Sequence, residues 1–132
     1  MIAAFWGDHR DHEASLRVFA EAKRETAACG VHSLAEVYAT MTALPVRPLL
    51  APEQVFLLVQ QIAQRLTPIV LELSEYLEAI RSLSERQLSS GQIYDALLLA
   101  CARKSEAEVI YTWNGKHFRR IAPDLGDRIQ TP

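Results

Sequence analysis

Gly91-Gln92-Ile93-Tyr94-Asp95-Ala96-Leu97-Leu98-Leu99-Ala100-Cys101-Ala102-Arg103, followed a few residues later by Val109-Ile110-Tyr111-Thr112-Trp113-Asn114-Gly115-Lys116-His117-Phe118, is the stretch that decides the fold. Its first part reads as an apolar helix with one carboxylate, Asp95, in the first turn. Its second part reads as a short apolar strand that ends in polar residues. In a parallel sheet, ligands sit outside the carboxyl ends of the strands. An acid at a helix start and polar groups at a strand end can therefore face one crevice, an arrangement that suits a divalent metal better than a hydrophobic core.

Outward from that stretch, helices and strands alternate. Residues Ala14 to Thr26 read as a helix, with Leu16, Phe19 and Ala20 on one side and charges on the other. Ala27 to Val31 is a short, small-residue strand. Ser33 to Leu44 carries Leu34, Val37, Tyr38 and Met41 at helical spacing, and Pro45 and Pro48 end it. Pro52 sits where a first-turn proline belongs, and Val55, Leu58, Val59 and Ile62 continue a helical stripe. Pro68 to Leu73 is apolar and β-branched, hence a strand, and Ser74 is placed to cap the helix that carries Leu77 and Ile80. Gly91 breaks the chain before the Asp95 helix. Val109 to Thr112 is the third strand, Lys116 to Ile121 a short helical turn, and the tail is irregular. Such alternation implies an α/β fold with a parallel sheet covered on both faces. The chain opens directly on a helix-like segment, whereas an α/β domain normally begins with a strand that becomes central.

The 132 residues favour a single domain, 1–132, large enough to bury a core. At 49% hydrophobic and 23% charged residues, the composition is that of an ordinary globular protein. No apolar run reaches the ~20 residues of a membrane span, and no signal peptide is expected at the start. Cys29 and Cys101 lie in apolar segments and read as buried free thiols, which implies a cytoplasmic location. The formal net charge of −2 argues against tight, non-specific nucleic-acid binding. It leaves room for a nuclease whose metal ions meet the phosphate. There is no glycine-rich phosphate loop and no Gly-x-Ser-x-Gly nucleophile elbow.

Each candidate for chemistry has a plainer account beside it. Glu36 lies in Ser33-Leu34-Ala35-Glu36, the pattern of a capping box in which the glutamate turns back to the helix's first free N–H. Spacing alone favours that cap. Asp95 near a helix N-terminus is favoured by the macrodipole, by about 0.3–1 kcal/mol. A carboxylate in a helix apolar nearly all round must, however, be paired, hydrogen-bonded or metal-bound. Asn114 with Gly115 is a strong turn pair, and Thr112 can hydrogen-bond within that turn. His117 is a capping or packing candidate. Asp8 reads as a helix N-cap, with His9 and His12 solvated.

Taken together, these motifs resemble the PIN domain, and within it the VapC-type ribonuclease toxins of bacterial toxin–antitoxin pairs. The matching pieces are His32-Ser33-Leu34-Ala35-Glu36-Val37-Tyr38, Gly91-x-Ile93-Tyr94-Asp95-Ala96 with Ala100-Cys101-Ala102, and Thr112-Trp113-Asn114-x-x-His117-Phe118. Ala3 to His9 is similar to the family's first helix and following loop, and Arg128 to Pro132 to its tail. The resemblance implies an α/β PIN-like parallel sheet flanked by helices. It also implies a metal-dependent endoribonuclease with Glu36 and Asp95 holding Mg²⁺ or Mn²⁺, and Asn114 at or next to the position of a further acid. His117 stands where many members carry aspartate. The implied partners are RNA, a cognate protein antitoxin and a second copy in a homodimer, with no membrane. The family's first strand ends in an aspartate just before the segment matched by Ile2-Ala3-Ala4. The expectation is that this N-terminal central strand and its acid are missing from the chain, so that activity is impaired. The alternative is a non-catalytic PIN-like protein that binds an antitoxin or dimerises.

Overall fold

The computed structural model describes residues 1–45, 49–89 and 91–132. The chain divides into two compact units, Met1–Pro68 and Ile69–Pro132.

In the first unit a short helix α1 (Ile2–Phe5) leads into α2 (His12–Glu21), strand β1 (Ala28–Gly30), α3 (Val31–Ala43) and α4 (Pro52–Arg65). Strand β2 (Thr67–Ile69) follows and pairs with β1. The stripes read from the sequence meet here. Val37 and Met41 of α3 and Val55 and Ile62 of α4 are buried together, with Leu58 and Val59 partly buried against them. Full burial of such a side chain is worth about 1.5–3 kcal/mol. Phe5 packs edge-to-face on Phe19 at 4.8 Å. Two arginines donate to carbonyls in the last turns of helices. Arg24, beyond the end of α2, donates to Ala63 O at 2.8 Å near the end of α4. Arg65, the last residue of α4, donates to Phe19 O at 3.0 Å and to Ala20 O near the end of α2. Each arginine thus caps the other's helix. Thr67 ties the start of β2 to the same corner through Arg24 O and Ala27 O.

The second unit holds α5 (Leu73–Glu85), α6 (Gln92–Lys104), β3 (Ile110–Tyr111), α7 (Gly115–Ile121), a 3₁₀ segment (Pro123–Arg128) and β4 (Ile129–Gln130). Strands β3 and β4 run parallel, with Ile110 opposite Ile129 and Tyr111 opposite Gln130. Leu97, Leu99 and Cys101 of α6 pack with Leu83 of α5, Phe118 and Ile121 of α7, Leu125 and Ile129. This cluster fixes α6 beside the β3–α7 connection, and so sets the geometry of the site below.

Several expectations change at the element ends. Helix α3 starts at Val31, so Val31 belongs to the helix and not to the preceding strand. It ends at Ala43, and Leu44 is extended, as the residue before Pro45 should be. Pro48, the other expected terminator, lies outside the described residues. Helix α2 begins at His12 and ends at Glu21, short of Thr26. The expected strand Pro68 to Leu73 is shorter and earlier, because Glu72 already occupies the N-cap position of α5 and its N–H donates to the Glu75 carboxylate at 2.6 Å. Ser74 is therefore inside the helix and is not its cap. The tail is a 3₁₀ turn and a strand, not irregular chain. The parallel strand pairing is realised at β3–β4, and the strands form two hydrogen-bonded pairs among the described residues. Neither cysteine is in a disulfide; Cys101 is buried and Cys29 half-buried. Among the described residues no helix is long and apolar enough to cross a membrane.

Candidate active site

Asp95 occupies the first turn of α6, and only 18% of its side chain is exposed. Asn114 follows β3 and takes the N-cap position of α7. Its N–H receives support from Thr112, donating to Oγ1 at 3.0 Å, and its own carbonyl accepts from the N–H groups of His117 and Phe118. The turn read from the sequence is thus present, and it aims the Asn114 side chain at α6. The Asn114 amide nitrogen lies 2.9 Å from Asp95 Oδ2 and 2.9 Å from His117 Nδ1. His117 Nδ1 is itself 3.6 Å from Asp95 Oδ2. An amide NH₂ only donates, so the tautomer of His117 that this contact suits is the one with Nδ1 unprotonated.

Burial pushes the Asp95 carboxyl above the usual aspartate range, while His117 and the Asn114 amide pull the other way. The main cause of the rise is desolvation. Gly115 is the residue that lets α7 start so tightly. A Cβ there would lie 2.8 Å from an Arg119 guanidinium nitrogen, and that guanidinium also donates to Ile129 O at 2.7 Å, where β4 begins. The close approach, rather than a special backbone angle, accounts for the glycine.

Glu36 is described in the first unit. Because α3 begins at Val31 with Gly30 as N-cap, Ser33 is the third helical residue and Glu36 the sixth. The capping-box reading therefore fails: the helix's free N–H groups end at Ser33, short of the Glu36 N–H that a Ser33 cap would serve, and Ser33 Oγ is buried without a hydrogen-bond partner. Glu36 instead faces His32 one turn back, with Nε2 and Oε1 3.9 Å apart. Its side chain is 42% exposed and that of His32 only 13%. Burial lowers the His32 pKa.

The cluster after α1 is also rearranged. Asp11, and not Asp8, stands at the N-cap position of α2. His9 and His12 are partly buried: the Asp11 N–H donates to His9 Nδ1 at 3.1 Å, and His12 Nδ1 lies 3.0 Å from Ala3 O.

The structure thus brings Asp95 and Asn114 together and adds His117, whose place at the focus of the site was not assigned from the sequence. The signal was available in the three-residue spacing of Asn114 and His117, which puts both on one side of the first turn of a helix. Among the described residues no three of His, Cys, Asp and Glu form a group that could hold a metal ion. Asp95 and His117 offer two donors with the Asn114 amide between them. That set fits a divalent cation that keeps several waters, and not a closed protein cage.

Comparison with known proteins agrees with this layout. The family model for the PIN domain matches residues 1–123. Ribonuclease VapC27 of Mycobacterium tuberculosis (strain ATCC 25618 / H37Rv) is 36% identical over 102 residues, covering 76% of this chain and 72% of that protein. With one family pattern running through both compact units and a VapC relative matching three quarters of its length, this chain belongs to the PIN-domain family, in its VapC type.

Proposed function

We propose that this protein is a metal-dependent endoribonuclease toxin of a toxin–antitoxin pair. The observation that carries the reading is the convergence of Asp95, Asn114 and His117 at the carboxyl end of β3. A half-buried carboxylate held above its usual pKa costs the fold free energy, and such a cost is typical of residues kept for chemistry. Family membership and the named activity of the VapC relative supply the reaction class.

In this reading Asp95 and Glu36 are the acids that serve the divalent ion, Mg²⁺ or Mn²⁺. When bound, that ion supplies a water of lowered pKa and neutralises charge on the scissile phosphate. Before an ion binds, Asn114 holds the Asp95 carboxylate in orientation through its amide. The His117 side chain is 56% exposed, with Nδ1 3.6 Å from Asp95 Oδ2. The single-domain reading of residues 1–132 belongs to the same proposal. The proposed partners are RNA, a cognate protein antitoxin and a second copy of the chain. Two cysteines outside any disulfide fit the proposed cytoplasmic setting.

The test is cleavage of structured RNA with Mg²⁺ or Mn²⁺, with EDTA as control. It compares this chain with one carrying an apolar, aspartate-ended strand ahead of Met1. The extended chain should cleave and the shorter one should cleave weakly or not at all. In the extended chain Asp95→Asn and Glu36→Gln should each lower the rate by about 100-fold or more, with circular dichroism unchanged. Metal-independent cleavage, or full activity of Asp95→Asn, would remove the nuclease reading. Antitoxin binding without cleavage in either chain would favour the non-catalytic alternative.

A further inference from the structure

The Asn114 amide nitrogen sits where two lone pairs converge, 2.9 Å from Asp95 Oδ2 and 2.9 Å from His117 Nδ1. Those two acceptors are 3.6 Å apart. Donors bound at about 2.1 Å to one cation lie about 3 Å apart at a right angle and about 4 Å apart when opposite. The observed spacing falls between these limits. A cation entering here displaces the NH₂ group, and a half-turn of the amide then offers Oδ1 as a third donor.

The donor set is mixed. Carboxylate and amide oxygens suit Mg²⁺ and Mn²⁺ alike, whereas an imidazole nitrogen suits first-row transition metals and is a poor ligand for Mg²⁺. We infer that His117 is a specificity-determining residue that tunes this site toward Mn²⁺ and away from Mg²⁺. The inference rests on the metal-nuclease reading for what the ion does, and on the Asp95–Asn114–His117 geometry for which ion is held. His117 is the residue to change, because its exposed ring is not part of the buried cluster behind α7.

The experiment measures Mn²⁺ binding by the loss of free-ion electron paramagnetic resonance signal, with Mg²⁺ as competitor, and needs no RNA. It is run on the chain itself, on His117→Asp and on Asp95→Asn. Carboxylate sites alone already favour Mn²⁺ somewhat, so the decisive quantity is the change in the Mn²⁺/Mg²⁺ affinity ratio. His117→Asp should lower that ratio by about tenfold or more, through weaker Mn²⁺ and stronger Mg²⁺ binding. Asp95→Asn should weaken both ions. An unchanged ratio in His117→Asp, or Mn²⁺ binding indifferent to Asp95→Asn, overturns the inference. A shifted ratio with no RNA cleavage by the extended chain would sink the nuclease reading and leave the ion preference standing. Metal-dependent cleavage with an unchanged ratio would do the reverse.

Discussion

At the scale of single residues, Asp95 is the clearest conflict between folding and use. Its carboxyl is held above the usual aspartate range chiefly by burial. The folded chain therefore binds that proton more tightly than the unfolded chain does. The charged form costs the fold stability above the folded pKa, and the cost fades as pH falls toward the unfolded value. With EDTA present, Asp95→Asn should melt at a higher temperature than the parent at pH 7, because the amide keeps the size and still accepts from Asn114. The gap should close below about pH 4, where the parent's carboxyl is protonated in both states. A lower Tm for Asp95→Asn at pH 7 would show that the contacts to Asn114 and His117 outweigh desolvation. Asp95 was readable in the sequence because one acid stood alone in an apolar run. The fate of Glu36 was not, because Ser-x-x-Glu carries the cap pattern wherever the helix starts. Only the true start at Val31, two residues before Ser33, removes the cap from consideration.

Among elements, the interiors were readable and the ends were not. The stripes on α3 and α4 pack largely as their spacing requires, since apolar residues three and four apart share a helix face. The ends depend on local hydrogen bonds that several residues can make equally well, as Glu72 rather than Ser74 shows at α5. The strands were hardest: at two or three residues each, they show too few alternations for a period to register. Strand β4 depends on its parallel partner β3 and has no local signal of its own. The C-terminal ends of α5 and α6 hold a further surprise. Both close with the residue after the C-cap in the left-handed region, Gln87 at φ 53° and Glu106 at φ 53°. Leu88 N–H reaches back to Leu83 O, and Ala107 N–H to Ala102 O, each at 2.9 Å. These are the bonds of a helix end that normally takes glycine. Removing Cβ there relieves about 1 kcal/mol of backbone strain, partly offset by the greater freedom of glycine in the unfolded chain. Gln87→Gly and Glu106→Gly should each stabilise the protein by about 0.5 kcal/mol, read as a raised urea midpoint with an unchanged slope. Destabilisation by either change would mean that the side chain makes contacts worth more than the strain.

For the whole molecule, it was the order and spacing of many weak motifs, rather than any one of them, that made the family readable from the sequence, and one family pattern covers residues 1–123. Net charge acts at this scale too. With 14 Lys and Arg against 16 Asp and Glu, the chain carries a formal −2. A protein that gripped RNA by its phosphates alone would need a surplus of cations, since release of condensed counterions supplies most non-specific affinity. Here the long-range field opposes RNA, and under the proposed function a divalent ion beside Asp95 would supply the missing positive charge where the phosphate is cut. Binding of a single-stranded RNA of arbitrary sequence should therefore depend on metal. The measurement is fluorescence anisotropy with the parent chain in EDTA, and with Asp95→Asn in Mn²⁺ as control. In EDTA at 150 mM salt the dissociation constant should be weaker than about 10 µM, toward the weak end of non-specific binding. The slope of log affinity against log salt should be shallower than about −3, corresponding to about four phosphate contacts or fewer at −0.7 each. Nanomolar binding in EDTA with a steep salt slope would show that a local basic surface, and not the net charge or the metal, governs the encounter with RNA.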